Sequence, residues 1–344
     1  MIWWGKRTVK PGPKKLALFS AAVNGDNSGD ALIVDSIRRL LAPNSFEVVP
    51  LLQPLSEAQL EQVNGCDMGI ICGTNLYQHV FACALTAQVL RRIKIPLLPL
   101  GIGGSAPIGQ LPRMDSAGTK AVRLIHDHCA VGSVRDPLSL DFVRSLGIRN
   151  VALTGCPVLF HALKEPEFRP PAEQRLYVSV RARLLQVEEH WGAKQRQTLE
   201  TLCARFQPML ILQSPYDLDM ARELASRFKL DYVHDPHYGH EVMVTAARQA
   251  SRVAGFRLHF GMVALSYGKP AVFIATDTRT SEFCRMTGLP YHDIHTYRDQ
   301  DLIEELESVP PQMEAFIAHW RRLRAAMATV LDQNSLVHTL STLH

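Results

Sequence analysis

The chain has no apolar run long enough to span a bilayer and no stretch that reads as a signal peptide, which points to a cytoplasmic protein. It has no Cys-x-x-Cys pair. Its 7 cysteines (66, 72, 83, 129, 156, 203 and 284) are odd in number, and several fall inside apolar runs. They read as buried thiols in a reducing compartment, not as a disulfide framework. No long basic run is present and the net charge is only +4, which suits anionic small molecules better than a nucleic-acid partner. The glycine loops carry neither the Lys-Ser/Thr of a Walker loop nor the G-x-G-x-x-G of a dinucleotide fold. No repeat or low-complexity segment is evident.

What is present is a long alternation of short apolar runs and helical periodicity. With 344 residues, 47% hydrophobic and 20% charged, the chain buries a sizeable core and suits two domains. The pattern predicts an α/β protein with two Rossmann-like domains, residues 1–163 and 175–310. A proline- and charge-rich linker, Leu163 to Gln174, joins them. A long amphipathic helix, Met313 to Leu331 within residues 311–344, is expected to cross back onto the first domain. In the first series, strands at 15–23, 46–52, 68–72, 96–100, 131–134 and 151–153 alternate with helices, one of them over His79 to Arg92. Loops at three strand ends, Asn24 to Asp30, Gly73 to Leu76 and Gly101 to Gly104, bring bare backbone to one sheet edge and line one side of a cleft.

The second series converges on SRVAGFRLHFGMVALSYGKPAVFIATDTRTSEFCRMTGLP, residues 251–290. A strand at Val253 to Phe256 runs into Arg257-Leu258-His259. A helix follows, stopped by Gly268, and then the next strand. Ligands of open parallel sheets bind at the carboxyl ends of strands, and a helix amino terminus favours anions. Read as still extended, 257–259 would place Arg257 and His259 on one face and Leu258 on the other. A fixed cation beside a titratable imidazole suits acid–base work on an anionic substrate; the plainer reading is an ion-paired arginine and a packed histidine. His234, His237 and His240 recur every three residues, but Pro236 and Gly239 prevent a regular helix there. They read as a polar loop at the cleft edge, with one histidine facing substrate, and no metal is expected. Trp3 and Trp4, followed by lysines and an arginine, read as a loose tail able to touch a membrane surface.

Several segments together resemble the polysaccharide pyruvyl transferase family, from about Leu16 to about Leu289. The amino loop is similar to its N-x-G-D-x-A opening through Asn27, Gly29, Asp30 and Ala31. VGSVRDPLSLDFVRSLGI resembles its S-x-R-D-x-x-S segment and supplies Arg135, Asp136 and Ser139. V-S-V-R ends at Arg181, and G-F-R-L-H followed by G-K-P carries the most specific likeness. Three positions depart from the family pattern: Gly73-Thr74-Asn75 stands for a glycine triplet, Cys156-Pro157 for Asp-Pro, and Arg279 for a lysine.

The resemblance implies a GT-B-like fold and transfer of pyruvate from phosphoenolpyruvate to a sugar, usually closing a ketal across two hydroxyls. It needs no cofactor beyond the donor substrate. On that reading Arg181, Arg257 and Arg279 hold phosphoenolpyruvate and His259 moves the proton. Asn27, Gly29, Asp30, Asn75, Gly103 and Arg135 face a glycan or lipid-linked sugar acceptor, at or near the inner membrane face. Two other readings share the fold: a nucleotide-sugar glycosyltransferase, with Glu282 holding the donor ribose, and a non-catalytic sugar-binding protein.

Overall fold

The structure, a computed structural model, describes residues 12–23, 25–78, 83–169, 175–183, 189–308 and 313–342. The Trp3-Trp4 tail and the end of the expected linker lie outside these residues. The first series runs β1 (Lys15–Ser20), α1 (Ser28–Leu40), β2 (Ser45–Pro50), α2 (Glu57–Asn64), β3 (Met68–Cys72), β4 (Asn75–Tyr77), α3 (Ala87–Leu90), β5 (Leu97–Leu100), β6 (Gly103–Gly104), α4 (Ser116–Asp127), β7 (Gly132–Val134), α5 (Pro137–Ser145) and β8 (Val151–Leu153). The second runs β9 (Leu176–Ser179), α6 (His190–Phe206), β10 (Met209–Ile211), α7 (Leu218–Phe228), β11 (Tyr232–Val233), α8 (Glu241–Gln249), β12 (Arg252–Gly255), α9 (Leu258–Ser266), β13 (Ala271–Ala275), α10 (Thr278–Thr287), β14 (Tyr291–Asp293) and α11 (Asp299–Glu307). α12 (Met313–Gln333) is the last α-helix among the described residues.

Strands β1, β3 and β13 are near-continuous apolar runs, buried on both faces apart from Lys15, as parallel strands covered by helices must be. The first sheet is parallel in the order β2-β1-β3-β5. An Ile102–Val134 bridge carries it on to the parallel pair β7-β8. The second sheet is parallel in the order β11-β10-β9-β12-β13-β14. Strand order therefore reverses between β9 and β12, where a crevice opens beyond the strand ends; in the first sheet it reverses between β1 and β3. The two crevices face each other.

Behind the cleft the halves share one hydrophobic cluster, in which Leu32, Ile33 and Ile37 of α1 join Val158, Met243, Phe260 and Val263. Backbone bonds clasp them at two places: Ser28 N donates to Gln213 O (3.0 Å) and Thr278 N to Ala106 O (3.0 Å). α12 buries Phe316, Trp320, Leu323, Met327 and Val330 at helical spacing. Trp320 Nε1 donates to Leu159 O (3.0 Å), and beyond the helix Asn334 Nδ2 donates to Val131 O (2.9 Å). The end of the chain therefore returns to the first half, as expected.

Two local expectations are corrected. Within the helix expected at His79 to Arg92, only Ala87–Leu90 is α-helical among the described residues. Ala84 N instead bonds Leu51 O (2.6 Å), and Thr86 caps a new start by accepting from Val89 N. Tertiary pairing overrides the periodicity. The loops at 73–76 and 101–104 also contain strands, because Asn75–Tyr77 pairs with Gly103–Gly104. All seven cysteines are free, five of them buried. No helix among the described residues is long and apolar enough to cross a membrane.

Candidate active site

Arginines from both halves converge on the cleft, and an acid of its own half holds each one. β12 ends at Gly255 with φ of 131°; a Cβ there would lie 2.4 Å from Ser179 Oγ, so only glycine lets the chain turn over β9 at the switch point. Arg257 follows. Its N donates to Ser179 Oγ (3.2 Å), its Nε to Val180 O (3.2 Å), and its Nη2 to both Asp217 oxygens (2.5 Å). Asp217 is fully buried and also accepts from the backbone of Ala182, Gln213 and Ser214. Asp277 caps α10 and takes Arg279 through Nε (3.0 Å) and Nη2 (2.6 Å), with Arg181 Nη1 at 3.5 Å. Burial would raise the Asp277 pKa, but Arg279 and Arg181 hold it well below the usual carboxylate range. Burial, then repulsion from Arg279, pushes Arg181 down to about 10, so it remains a cation at neutral pH.

In the first half Arg135 leaves β7 and donates through Nη2 to Asn75 Oδ1 (2.6 Å) and Gly104 O (2.7 Å), with Asp136 Oδ2 3.4 Å from Nε. A Cβ at Gly103 would meet Arg135 Nε at 2.2 Å, so that glycine makes room for the guanidinium. Among the described residues, Nη1 of Arg135, Arg257 and Arg279 and Nη2 of Arg181 donate no hydrogen bond. The acids orient the cations and leave donors for a ligand.

His259 lies at the second position of α9, whose other residues are all buried. Its Nε2 is itself buried and has no hydrogen-bond partner among the described residues. Burial, then Arg135, Arg279 and Arg257, push its pKa down to about 3, so the imidazole is neutral. Gly29 backs it: a Cβ there would lie 2.6 Å from His259 Nδ1 and 2.5 Å from Gln213 Nε2. Asp30, next in α1, makes no side-chain hydrogen bond among the described residues, although its place in the first turn suits a helix cap. Burial pushes its pKa up to about 6 against the pull of Arg279, Arg135 and Arg257.

The cleft encloses about 320 Å³, and Asn27, Asp30, Asn75, Arg135, Arg181, Arg257, His259 and Arg279 all line it. Asn27 Oδ1 also accepts from Gly29 N (3.0 Å) and Gln213 Nε2 (2.8 Å). Gly29 and Gly103 stand behind the lining as spacers. Residues 257–259 are not extended through His259: Arg257 is the extended cap (φ −106°, ψ 104°) and His259 is already helical. Both still reach the cleft because it opens at the amino end of α9. The 234–240 histidines do not line it. His234 Nε2 meets Tyr238 OH (3.2 Å), and His240 faces Asp35 (3.4 Å) and Glu241 (3.7 Å). The described residues contain no cluster of His, Cys, Asp and Glu able to hold a metal. Glu282 is absent from the lining and pairs with Arg285 (2.9 Å).

The sequence reading missed Asp217, Asp277 and Gln213. Ser214-Pro215-Tyr216-Asp217 is a capping-box pattern, and Asp277 is a cap residue at a strand end, so both acids had a local signal.

A sequence profile described as polysaccharide pyruvyl transferase matches residues 27–278, from the cap of α1 to the start of α10. The chain belongs to the polysaccharide pyruvyl transferase family. All the residues that carried the resemblance lie inside the match; Arg279, a departure from the family pattern, lies one residue beyond it. No curated protein matches the chain. Among solved structures, the chain is similar to S. aureus MnaA with UDP (TM-score 0.55, 11% identity, 89% of this chain and 91% of that one). It is also similar to Methanocaldococcus jannaschii UDP-GlcNAc 2-epimerase in complex with UDP-GlcNAc and UDP (TM-score 0.52, 10% identity, 90% and 98%). At such identity the likeness is one of fold: two Rossmann-like units facing a cleft, the GT-B arrangement.

Proposed function

We propose that this family member moves pyruvate from phosphoenolpyruvate onto a sugar of a bacterial-type polysaccharide or its lipid-linked precursor and closes a ketal. The observation that carries this reading is the cleft's set of guanidinium donors left free among the described residues, around a neutral His259 whose Nε2 has no partner among them. Phosphoenolpyruvate brings a carboxylate and a phosphate, and Arg135, Arg181, Arg257 and Arg279 supply planar donors for both.

Two proton-transfer groups with different environments divide the work. A bound anion raises the proton affinity of Asp30, which already titrates near 6. Protonated Asp30 gives its proton to the methylene carbon and leaves a cationic enol carbon. His259, neutral, takes the proton of the attacking hydroxyl as the C–O bond forms. A second hydroxyl then displaces phosphate, and the proton it loses balances the one that leaves with phosphate. Nucleotide-sugar transfer on this fold would want an acidic ribose holder, and Glu282 is committed to Arg285.

Thermal shift separates the readings. Phosphoenolpyruvate at a hundred times its Kd should stabilise the protein by about 2.7 kcal/mol, and UDP should not. Stabilisation by UDP with none by phosphoenolpyruvate would overturn the proposal.

A further inference from the structure

The sequence divides the cleft between halves, acceptor on the first and donor on the second. The geometry divides it along its length instead. Arg135, from the first half, shares one electrostatic neighbourhood with Arg279 and Arg257, from the second, around His259 and Asp30. All three arginines line the cleft, so its cationic end follows β7, β12 and β13 and is built by both halves.

The other end is of different character. Among the described residues four large hydrophobic side chains are exposed, and two of them, Leu52 and Tyr216, line this cleft. Leu52 follows β2, the edge strand of the first sheet, and Tyr216 follows β10. The Ser28–Gln213 clasp brings the β1 and β10 ends together, so both residues lie on the side of the cleft away from β7 and β13.

Tyr216 is 55% exposed, yet it is not on a loose loop. Pro215 starts its turn, Ser214 Oγ accepts from Tyr216 N (3.3 Å), and the next residue is Asp217, the buried anchor of Arg257. The backbone of this turn therefore holds Tyr216 one residue from the anchor of Arg257. The Arg183 guanidinium lies over the Tyr216 ring, 5.4 Å from the centroid. A pyranose presents a face of C–H groups and a rim of hydroxyls. An exposed aromatic face on an anchored turn, with a guanidinium beside it and Gln78 in the same lining, matches both.

We propose that Tyr216, with Leu52 in the same end of the cleft and Arg183 at its edge, is the platform on which the acceptor sugar stacks. This rests on the pyruvyl-transfer reading. The sugar on Tyr216 points its hydroxyls along the cleft toward His259, and phosphoenolpyruvate fills the arginine end.

The test compares initial rates of wild type, Tyr216→Ala and Tyr216→Trp with phosphoenolpyruvate and a pyranoside acceptor. Tyr216→Ala should raise the acceptor KM about tenfold or more while the phosphoenolpyruvate KM stays within about twofold, and Tyr216→Trp should restore the acceptor KM. Because the side chain is exposed, the Tm should not move. An unchanged acceptor KM in Tyr216→Ala, or equal rises in both KM values, would overturn the platform. If wild type transfers nothing, the pyruvyl reading fails on its own account. Saturation-transfer NMR with the same pyranoside then decides the platform: binding lost in Tyr216→Ala supports it, and equal binding in both proteins overturns it.

Discussion

At the scale of single residues, the site rests on two buried acids, Asp217 and Asp277, that orient the arginines without lining the cleft. Asp217 is fully buried and satisfies Arg257 together with three backbone N–H groups. Asp217→Ala would leave Arg257 and those donors unpaired, and should cost about 3–5 kcal/mol in denaturant unfolding. The titrating pair makes a second prediction. His259 stays neutral down to about 3 in the fold, whereas the unfolded side chain takes up a proton near 6.5. The unfolded state therefore binds more protons in this window, and stability falls as pH drops from about 6.5 to about 3. Asp30 acts the other way. It keeps its proton up to about 6 in the fold against 3.8 unfolded, so its contribution falls as pH rises from about 3.8 to about 6. Relative to wild type, His259→Gln should gain stability on acidification and Asp30→Asn on alkalinisation, read from denaturant midpoints between about pH 4 and 6.5. Parallel profiles for all three proteins would contradict these assignments.

At the scale of elements, the positions of α1 and α9 matter more than any one contact. Gly29 carries no side chain because α1 approaches His259 and Gln213 too closely for one. Gly29→Ala should wedge the clasp, reduce transfer by about 10²-fold or more, and lower Tm. Normal activity and Tm in that variant would show that the approach is looser than the structure has it. Most of this layer was legible in the sequence. The strand–helix alternation gave the two sheets, and Arg-Leu-His at a strand end gave the site, because apolar period and turn chemistry are local signals. What was not legible is what long-range pairing decides. Ala84 bonds Leu51 and breaks a helical pattern. Asp217, Asp277 and Gln213 meet their partners only after the sheets are wound, and Gly103 serves Arg135 across a strand pairing.

At the scale of the whole molecule, the cleft exists because two sheets are pressed together by one shared core and tied by a returning helix. Trp320 is 2% exposed, packs at 5.7 Å from Phe160 and bonds Leu159 O. Trp320→Ala should cost about 3–5 kcal/mol and loosen the cleft although it touches no ligand. The measurement that tests pyruvyl transfer most directly is phosphate release from phosphoenolpyruvate with a panel of glycoside acceptors, read together with the acceptor's mass, in wild type and in folded His259→Gln. Acceptor-dependent release is predicted, matched by an acceptor mass gain of one pyruvic acid less one water. In His259→Gln the rate should drop by about 10²–10⁴-fold. Release that ignores the acceptor, no release with any acceptor, or a His259→Gln rate equal to wild type would contradict the account.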